Sequence, residues 1–236
     1  MIDRLLALQQ AGGRGVVLTV VAGPDLGAKL LVLEDGETVG DGPPGLAALA
    51  DGLIRGARNT TVELEGRTVF AEVYAPPPRL FVYGAVDTAE ALAAGARLLG
   101  WRTVVADARP RFATRERMPS ADELIVSWPG EAFAQVVPDH ATAVVVLTHD
   151  DKLDLPALEL ALASDAFCVG LIGGRRNQER KRERLREAGV AEEAIARIAG
   201  PTGLDLGAEA VPEVALSILA EALATRNGRS GGRLSG

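Results

Sequence analysis

Residues able to bind soft metals are scarce in this sequence. It has one cysteine, Cys168, and two histidines, His140 and His149, in 236 residues. A single cysteine excludes an internal disulfide, and nothing points to an oxidising compartment. Because thiolate and imidazole groups are the usual protein ligands of transition metals, we expect no transition-metal site in this chain.

Long apolar runs and an excess of positive charge are also absent. No stretch of about 18 apolar residues is present, so the sequence predicts no membrane span. The first residues, MIDRLLALQQAGG, include an acid and lack the apolar core of a signal peptide, so we expect a cytoplasmic protein. The formal net charge of −7 disfavours nucleic-acid binding, which requires a basic face.

Aromatic residues are few, and small or branched aliphatic residues take their place. Aromatics make up 4% of the chain, whereas 47% of it is hydrophobic and 27 residues are glycine. This composition is typical of an α/β protein built on Ala, Val and Leu. The run YAPPPRL contains Pro76–Pro78, a stiff connector that neither a helix nor a central strand tolerates. We therefore predict two domains, residues 1–75 and 80–227, joined by a proline-rich linker at 76–79.

The first predicted domain is a small α+β unit. Apolar runs and turn residues predict strands and one helix, which are Val16–Val21, Lys29–Leu33, Thr61–Leu64, Thr68–Tyr74 and the helix Leu46–Arg58. Glu34–Glu37, an acidic segment with a glycine, predicts a hairpin turn. At the other end of the chain, residues 228–236 have little apolar content and predict a disordered tail.

The second predicted domain alternates strands with helices. Its predicted strands are Leu80–Tyr83, Thr103–Asp107, Glu123–Val126, Ala143–Thr148 and Phe167–Ile172. Nearly continuous apolar strands separated by helices are typical of a parallel sheet covered on both faces. The last helix is predicted to begin near Pro212 and to stop at Gly228. The predicted fold class is α/β, a Rossmann-like parallel sheet domain preceded by a small α+β domain.

Ligands of such sheets bind beyond the carboxyl ends of the strands, and the first strand ends in a glycine turn. Gly84 begins this turn, but Val86 stands where a dinucleotide fingerprint has its second glycine. Asp107 ends the second strand 23 positions later, near the spacing at which an acid meets a ribose hydroxyl. Gly84, Asp87 and Asp107 are therefore candidate cofactor-binding residues. The alternative for Asp107 is that it caps the next turn.

The fourth strand ends in LTHDDKLD, which crowds ionisable residues together. His149 can donate to an anionic ligand, or act as an acid or base near neutral pH. Asp150 and Asp151 are both candidates for the N-cap of the following helix, and a Mg²⁺ ion held by the two carboxylates stays open. We include His149 and Asp150 among the candidate binding residues.

The fifth strand runs into GLIGGRRNQERKRERLREAG, a tight turn followed by a basic helix. Cations at a helix N-terminus oppose its macrodipole, whereas a bound anion would recruit the free N–H groups and the guanidinium groups together. We interpret Gly173, Gly174, Arg175 and Arg176 as the phosphate-binding end of the pocket. The alternative is that both arginines pair with acids of neighbouring loops, such as Asp107 or Asp205.

Four blocks of the second domain resemble the XdhC/CoxI family, in the family's order. They are VVADARPRFATRERMPSAD, VVVLTHDDKLDLPALELAL, GLIGGRRNQERKRERLREAGV and GPTGLDLGAEAVPEVALSILAEALATRNG. This resemblance implies a maturation factor for molybdenum hydroxylases such as xanthine dehydrogenase and aerobic carbon monoxide dehydrogenase. It implies a non-catalytic protein that binds molybdenum cofactor, as molybdopterin or its dinucleotide form, assists its sulfuration with a cysteine desulfurase, and delivers it to the apoenzyme. It also implies a homodimer, or a heterodimer with a paralogue.

The sequence departs from the family pattern at several positions. Val86 and Asp87 replace the second glycine and the histidine of the family's Gly-x-Gly-His turn. Asp151 replaces the last histidine of a Thr-His-Asp-His run, and Ala199 replaces another histidine. The segment after GETVG lacks the family's Gly-Gly-Cys, and Cys168 falls in a predicted buried strand, where it is a small core residue. The chain is therefore identified as a divergent member of the family.

Two alternative functions follow from the same residues. One is an NAD(P)-dependent oxidoreductase that uses the same sheet. Val86 would crowd a pyrophosphate, and no hydride-transfer pair is evident, so we predict weak or no binding of NAD(P). The other is a degenerate companion subunit with an empty pocket, as the missing histidines and cysteine indicate.

Overall fold

The computed structural model describes residues 1–235 of the chain. The chain forms two compact units, one comprising Met1–Pro76 and the other beginning at Pro77. The division between them falls inside the proline run that was predicted to be a linker. Within residues 1–235, no helix is both long enough and apolar enough to cross a membrane.

The N-terminal unit is a five-stranded antiparallel sheet with a helix on each face. In the order β3-β2-β1-β5-β4, its strands are β1 (Gly15–Ala22), β2 (Lys29–Leu33), β3 (Thr38–Asp41), β4 (Thr60–Leu64) and β5 (Arg67–Tyr74). Helix α1 (Ile2–Gln10) packs Leu8 against Val17 on one face. Helix α2 (Ala50–Gly56) packs Ile54 against Leu18 on the other, because successive strand residues point to opposite faces.

One predicted element of this unit is shorter than expected. The predicted helix Leu46–Arg58 is a 3₁₀ turn, Ala47–Leu49, followed by α2. Helix α2 ends at Ala57, which has a left-handed conformation with a φ of 47°. The backbone N–H of Ala57 donates to the carbonyls of Leu53 and Ile54. Such a left-handed residue satisfies the last carbonyls of a helix and stops its propagation.

The C-terminal unit is built on a six-stranded parallel sheet, which confirms the predicted fold class. In the order β11-β10-β9-β6-β7-β8, its strands are β6 (Arg79–Tyr83), β7 (Arg102–Asp107), β8 (Glu123–Val126), β9 (Thr142–Val146), β10 (Cys168–Leu171) and β11 (Ile198–Ala199). This is the strand order of dinucleotide-binding folds, with the reversal between β6 and β9. Strand β11 was not predicted from the sequence, because two residues are too short to show a period.

Helices cover both faces of the parallel sheet. On one face lie α3 (Asp87–Leu98) and α8 (Val211–Arg226), packed on Leu80 and Val82. On the other lie α4 (Pro129–Val136), α5 (Asp151–Ala163), α6 (Arg175–Glu187) and the short α7 (Glu192–Ile195), packed around Phe81 and Tyr83. Helix α8 begins beside Pro212, as predicted.

Beyond α8, the backbone N–H of Arg229 donates to the carbonyl of Ala224 at 2.8 Å. The disorder predicted for residues 228–236 stays a prediction. The last residue of this segment, Gly236, lies outside the described residues.

Candidate functional site

The loops that follow β6 and β9 meet where the strand order reverses. Gly84 directly follows β6 and has a φ of 117°. A Cβ atom at this position would lie 2.9 Å from Cγ2 of Thr148 and 3.0 Å from the carbonyl carbon of Leu147. Glycine is therefore required for the two loops to touch. Open α/β sheets bind their ligands at this reversal, so a ligand site is expected here.

Asp107, at the end of β7, is fully buried and bound to the glycine turn from within. Its Oδ2 accepts a hydrogen bond from the backbone N–H of Ala85 at 2.9 Å. The side chain of Arg109 donates to both of its carboxylate oxygens, at 2.9 and 2.8 Å, and the Arg109 backbone N–H donates at 2.9 Å. Burial raises the pKa of this carboxyl, but the hydrogen bonds from Arg109 and Ala85 outweigh burial and hold the pKa below its ordinary value.

The contacts of Asp107 bear on the two roles expected for it from the sequence. Its carboxylate is fully buried, and both of its oxygens accept hydrogen bonds from Ala85 or Arg109; ribose binding by Asp107 stays a prediction. Its hydrogen bonds to the turn instead match the alternative expected from the sequence, in which it is a capping residue. The hydrogen bonds to Asp107 are the main reason why the pKa of Arg109 is raised. The charge of Asp150, in the loop that follows β9, raises that pKa further. The loops after β7 and β9 are therefore within electrostatic range of each other.

The rest of the glycine turn does not form a pyrophosphate cradle. Val86 is the N-cap residue of α3, and its half-buried side chain packs on the core beneath that helix. Asp87 is exposed and pairs with Arg117 at 3.0 Å. Because Asp107 accepts from the Ala85 N–H, that donor is not available to a pyrophosphate.

The turn after β9 exposes His149 and uses the acids that follow it. His149 has a φ of 62°, a left-handed conformation that is uncommon outside glycine. Asp150 is the N-cap of α5, and its side chain accepts from the backbone N–H of Lys152 at 3.0 Å. Asp151 pairs with Arg180 and Arg184 of α6, at 3.1 and 2.9 Å.

Both carboxylates of the Mg²⁺ hypothesis, Asp150 and Asp151, thus have partners in the protein. Among residues 1–235, no group of three or more His, Cys, Asp or Glu side chains is arranged to hold a metal ion.

At the N-terminus of α6, which follows β10, no acidic side chain of the first turn offsets the positive end of the helix dipole. Gly174 is its N-cap and supplies no side-chain hydrogen bond, and its first turn contains no acid. The side chains of Arg175 and Arg176 are exposed, and within the described part of the chain neither has a hydrogen-bond or ion-pair partner. The alternative pairing with Asp107 is not seen, because Asp107 binds Arg109.

An open depression of about 840 Å³ lies at this helix end. It is lined by Gly174, Arg175, Arg176, Asn177 and Arg180. The first N–H groups of a helix have no intrahelical acceptor and carry partial positive charge, so this depression has the electrostatic character of an anion site. Since β9 and β10 are parallel neighbours, the turn with His149 and the turn with Gly173 and Gly174 emerge at the same edge of the sheet.

Beneath the site lies a layer of buried polar residues that was not predicted from the sequence. The hydroxyl of Thr148 donates to Asp154, and Asp154 forms a fully buried ion pair with Lys181 of α6. Gln178 donates from Nε2 to the carbonyl of Leu171 at 2.8 Å, at the end of β10. The available signal was the spacing of Gln178 and Lys181 within α6, which matches one helical face.

Cys168 does not contribute to the site. It lies in β10 and is 6% exposed. Burial raises the pKa of its thiol to about 12, and the charge of Glu221 acts in the same direction. The thiolate, which is the form that binds metals and attacks sulfur, is therefore not available near neutral pH.

The strand order and the glycine turn at the reversal together define a Rossmann-like domain. The family model described as the XdhC Rossmann domain matches residues 80–222, and the chain belongs to the XdhC family. The predicted resemblance is thereby confirmed.

Three curated proteins are similar to this chain. An uncharacterized protein, YqeB of Escherichia coli K12, is 35% identical over 171 residues, covering 70% of this chain and 30% of that protein. A probable xanthine dehydrogenase subunit of Bacillus subtilis 168 is 28% identical over 158 residues, covering 67% and 46%. The molybdenum cofactor insertion chaperone PaoD of Escherichia coli K12 is 29% identical over 153 residues, covering 65% and 42%. The chain spans less than half the length of each of them.

A crystal structure described as a xanthine dehydrogenase from Bacillus halodurans has a similar fold. Its TM-score is 0.70 at 23% identity, and the match covers 97% of this chain and 64% of that one. At this identity the likeness concerns the fold alone.

Proposed function

We propose that this protein is a maturation factor for a molybdenum hydroxylase, and that it binds the molybdenum cofactor by its phosphate and delivers it to the apoenzyme. Membership of the XdhC family and the name of the similar insertion chaperone support the proposal. The structural observation that carries it is the N-terminus of α6, where Arg175 and Arg176 have no protein partner among the described residues. Two cations placed on the positive end of a helix favour a bound anion.

The residues present fit the phosphate end of the cofactor. Arg175, Arg176 and the first N–H groups of α6 would hold the phosphate, and His149 would donate a hydrogen bond from the neighbouring turn. When bound, the cofactor carries the molybdenum-centred redox chemistry of its client enzyme. The chain's own part is to bind and orient the cofactor, and it is proposed to be non-catalytic.

Sulfur chemistry is assigned to a partner and not to this chain. Its one cysteine, Cys168, is buried with a raised thiol pKa. We therefore propose that a cysteine desulfurase supplies the sulfur while this protein holds the cofactor, in the cytoplasm. We further propose that the protein acts as a homodimer, or as a heterodimer with a paralogue.

The alternative of an NAD(P)-dependent oxidoreductase is supported by the strand order of the sheet but not by the turn after β6. Val86 stands in the place of the second glycine, and the Ala85 N–H is bound to Asp107. Both features weaken the cradle that a dinucleotide requires.

The experiment is to purify the native protein and identify its bound small molecules by mass spectrometry. We expect molybdopterin or its dinucleotide. The variant Arg175→Ala plus Arg176→Ala should bind the cofactor at least about a hundredfold more weakly, because two charge-assisted hydrogen bonds of about 1.5–3 kcal/mol each are lost. The matched control, Arg184→Ala plus Arg186→Ala, removes the same charge from the same helix, but from arginines already paired with acids. It should retain the cofactor.

Two outcomes would contradict the proposal. If the double variant bound molybdopterin as tightly as the wild type, Arg175 and Arg176 would not form a phosphate site. A native protein with no pterin and no affinity for added molybdopterin would favour the alternative of a companion subunit with an empty pocket.

A further inference from the structure

Helix α6 turns polar residues toward the interior, where an amphipathic helix normally carries apolar ones. Its buried residues are Gln178, Lys181 and Leu185, and Lys181 is 0% exposed. Burying an ammonium group carries a large desolvation cost, and a buried ion pair is often no more stabilising than apolar residues of the same volume. Packing alone therefore does not account for Lys181.

The contacts of Lys181 lead to the turn after β9. Its Nζ pairs with one carboxylate oxygen of Asp154, which is also 0% exposed. The other oxygen of Asp154 accepts from the hydroxyl of Thr148. Oγ1 of Thr148 in turn accepts from the backbone N–H of Asp150 at 3.2 Å. This buried chain, Lys181–Asp154–Thr148, connects α6 to the residues on both sides of His149.

His149 is the residue that such a chain would constrain. Its φ of 62° is left-handed, a conformation that is unfavourable for a residue with a side chain. Conformations of this kind persist where the surrounding structure fixes them. The hydrogen bond between Thr148 and Asp150 spans His149, and the carboxylate of Asp154 fixes the orientation of the Thr148 hydroxyl.

We propose that Lys181 and Asp154 are positioning residues, which hold the left-handed His149 in a fixed place relative to the N-terminus of α6. The inference rests on the proposed function, because it takes His149 and that helix end as two parts of one anion site. Lys181 lies seven residues after the N-cap Gly174, about 10 Å along the helix, so it acts through the turn and does not touch the ligand. Gln178 connects the first turn of α6 to the end of β10, because its Nε2 donates to the carbonyl of Leu171.

The test replaces the buried pair and follows His149. The variant Lys181→Met plus Asp154→Leu removes both charges, so neither is left unpaired in the core. Thr148→Val, which removes only the hydroxyl, is the second variant and leaves the ion pair in place. Arg184→Ala is the matched control, because it removes an ion pair that also joins α5 and α6 but does not reach Thr148.

Two readouts separate positioning from folding. The first is the backbone conformation of His149 without ligand, from its Cα and Cβ chemical shifts and amide coupling in NMR spectra. The second is the affinity for inorganic pyrophosphate, followed by the imidazole signals. The chain has two histidines, so His140→Gln assigns these signals.

We expect both test variants to lose the left-handed signature of His149 and to bind pyrophosphate about tenfold more weakly or worse. The control should match the wild type in both. Folded test variants that keep the left-handed His149 and bind within about twofold of the wild type would overturn the proposal. A wild type that binds no pyrophosphate would count against the anion site, whereas the conformation of His149 still tests the positioning role.

Discussion

The backbone N–H of Ala85 donates a hydrogen bond of 2.9 Å to Oδ2 of Asp107, which joins the turn after β6 to the end of β7. In a dinucleotide-binding domain, the turn is free to approach a pyrophosphate and the acid is free to bind a ribose. Here the two groups satisfy each other, and Arg109 occupies the remaining carboxylate positions. The parallel sheet thus has the strand order of a dinucleotide-binding domain. The Ala85 N–H and the Asp107 carboxylate, however, are bonded to each other inside the protein.

The first prediction is that NAD(H) and NADP(H) bind weakly or not at all. Val86 stands where a dinucleotide fingerprint has its second glycine, and the Ala85 N–H is already bonded to Asp107. Isothermal titration calorimetry with all four nucleotides is the measurement. Val86→Gly restores the missing glycine but leaves the bond to Asp107, so it should not create tight binding. Low-micromolar affinity of the wild type for any of the four would favour the oxidoreductase alternative.

The second prediction concerns the pH dependence of stability around Asp107. Its folded pKa is below the ordinary value of about 4, so the interaction stabilises the folded state above about pH 4 and is lost as the pH falls through the folded pKa. Arg109→Ala should lower the free energy of unfolding at neutral pH by about 1.5–3 kcal/mol, because it removes hydrogen bonds to a buried charge. The difference from the wild type should narrow as the pH falls below about 4, toward the lowered pKa of the folded carboxyl.

Tryptophan fluorescence during urea unfolding is suited to this measurement. Trp101 and Trp128, the two tryptophans of the chain, both lie in the C-terminal unit, so their signal reports that unit. Arg111→Ala is the control, because the exposed guanidinium of Arg111 has no acidic partner within residues 1–235. We expect this variant to change the free energy of unfolding by no more than about 0.5 kcal/mol. An equal loss at all pH values would mean that Arg109 acts by packing on Phe112 and not by charge.

The sequence predicted the parallel sheet because its strands are long apolar runs between helices. It also placed Gly84, His149 and Gly174 at strand ends, since that requires only the element boundaries. It did not predict what Asp107 or Lys181 would contact. Asp107 has the spacing of a ribose ligand, and its burial against Ala85 depends on how two loops meet. Lys181 resembles every other cation of a charged helix until α5 brings Asp154 against it.

The third prediction is that Cys168 is unreactive in the folded protein. Its thiol is 6% exposed and has a pKa raised to about 12, so almost no thiolate is present near neutral pH. Iodoacetamide labelling followed by mass spectrometry should show modification in urea and none in the native state. Because the chain has a single cysteine, the mass change is unambiguous. Rapid labelling of the native protein would mean that β10 opens and that a sulfur role for this residue must be reconsidered.

The last prediction is that Arg175 and Arg176 lower stability in the absence of a ligand and raise it in the presence of an anion. Each guanidinium faces the positive end of α6 without an acid in the first turn, which costs a few tenths of a kcal/mol. Arg175→Ala plus Arg176→Ala should therefore melt at or slightly above the wild-type temperature in anion-free buffer. Added pyrophosphate should raise the melting temperature of the wild type, since a ligand at about a hundred times its Kd stabilises by about 2.7 kcal/mol, and should have little effect on the double variant. If the variant instead melted well below the wild type in anion-free buffer, the arginines would be structural and the interpretation of this helix end as a binding site would fail.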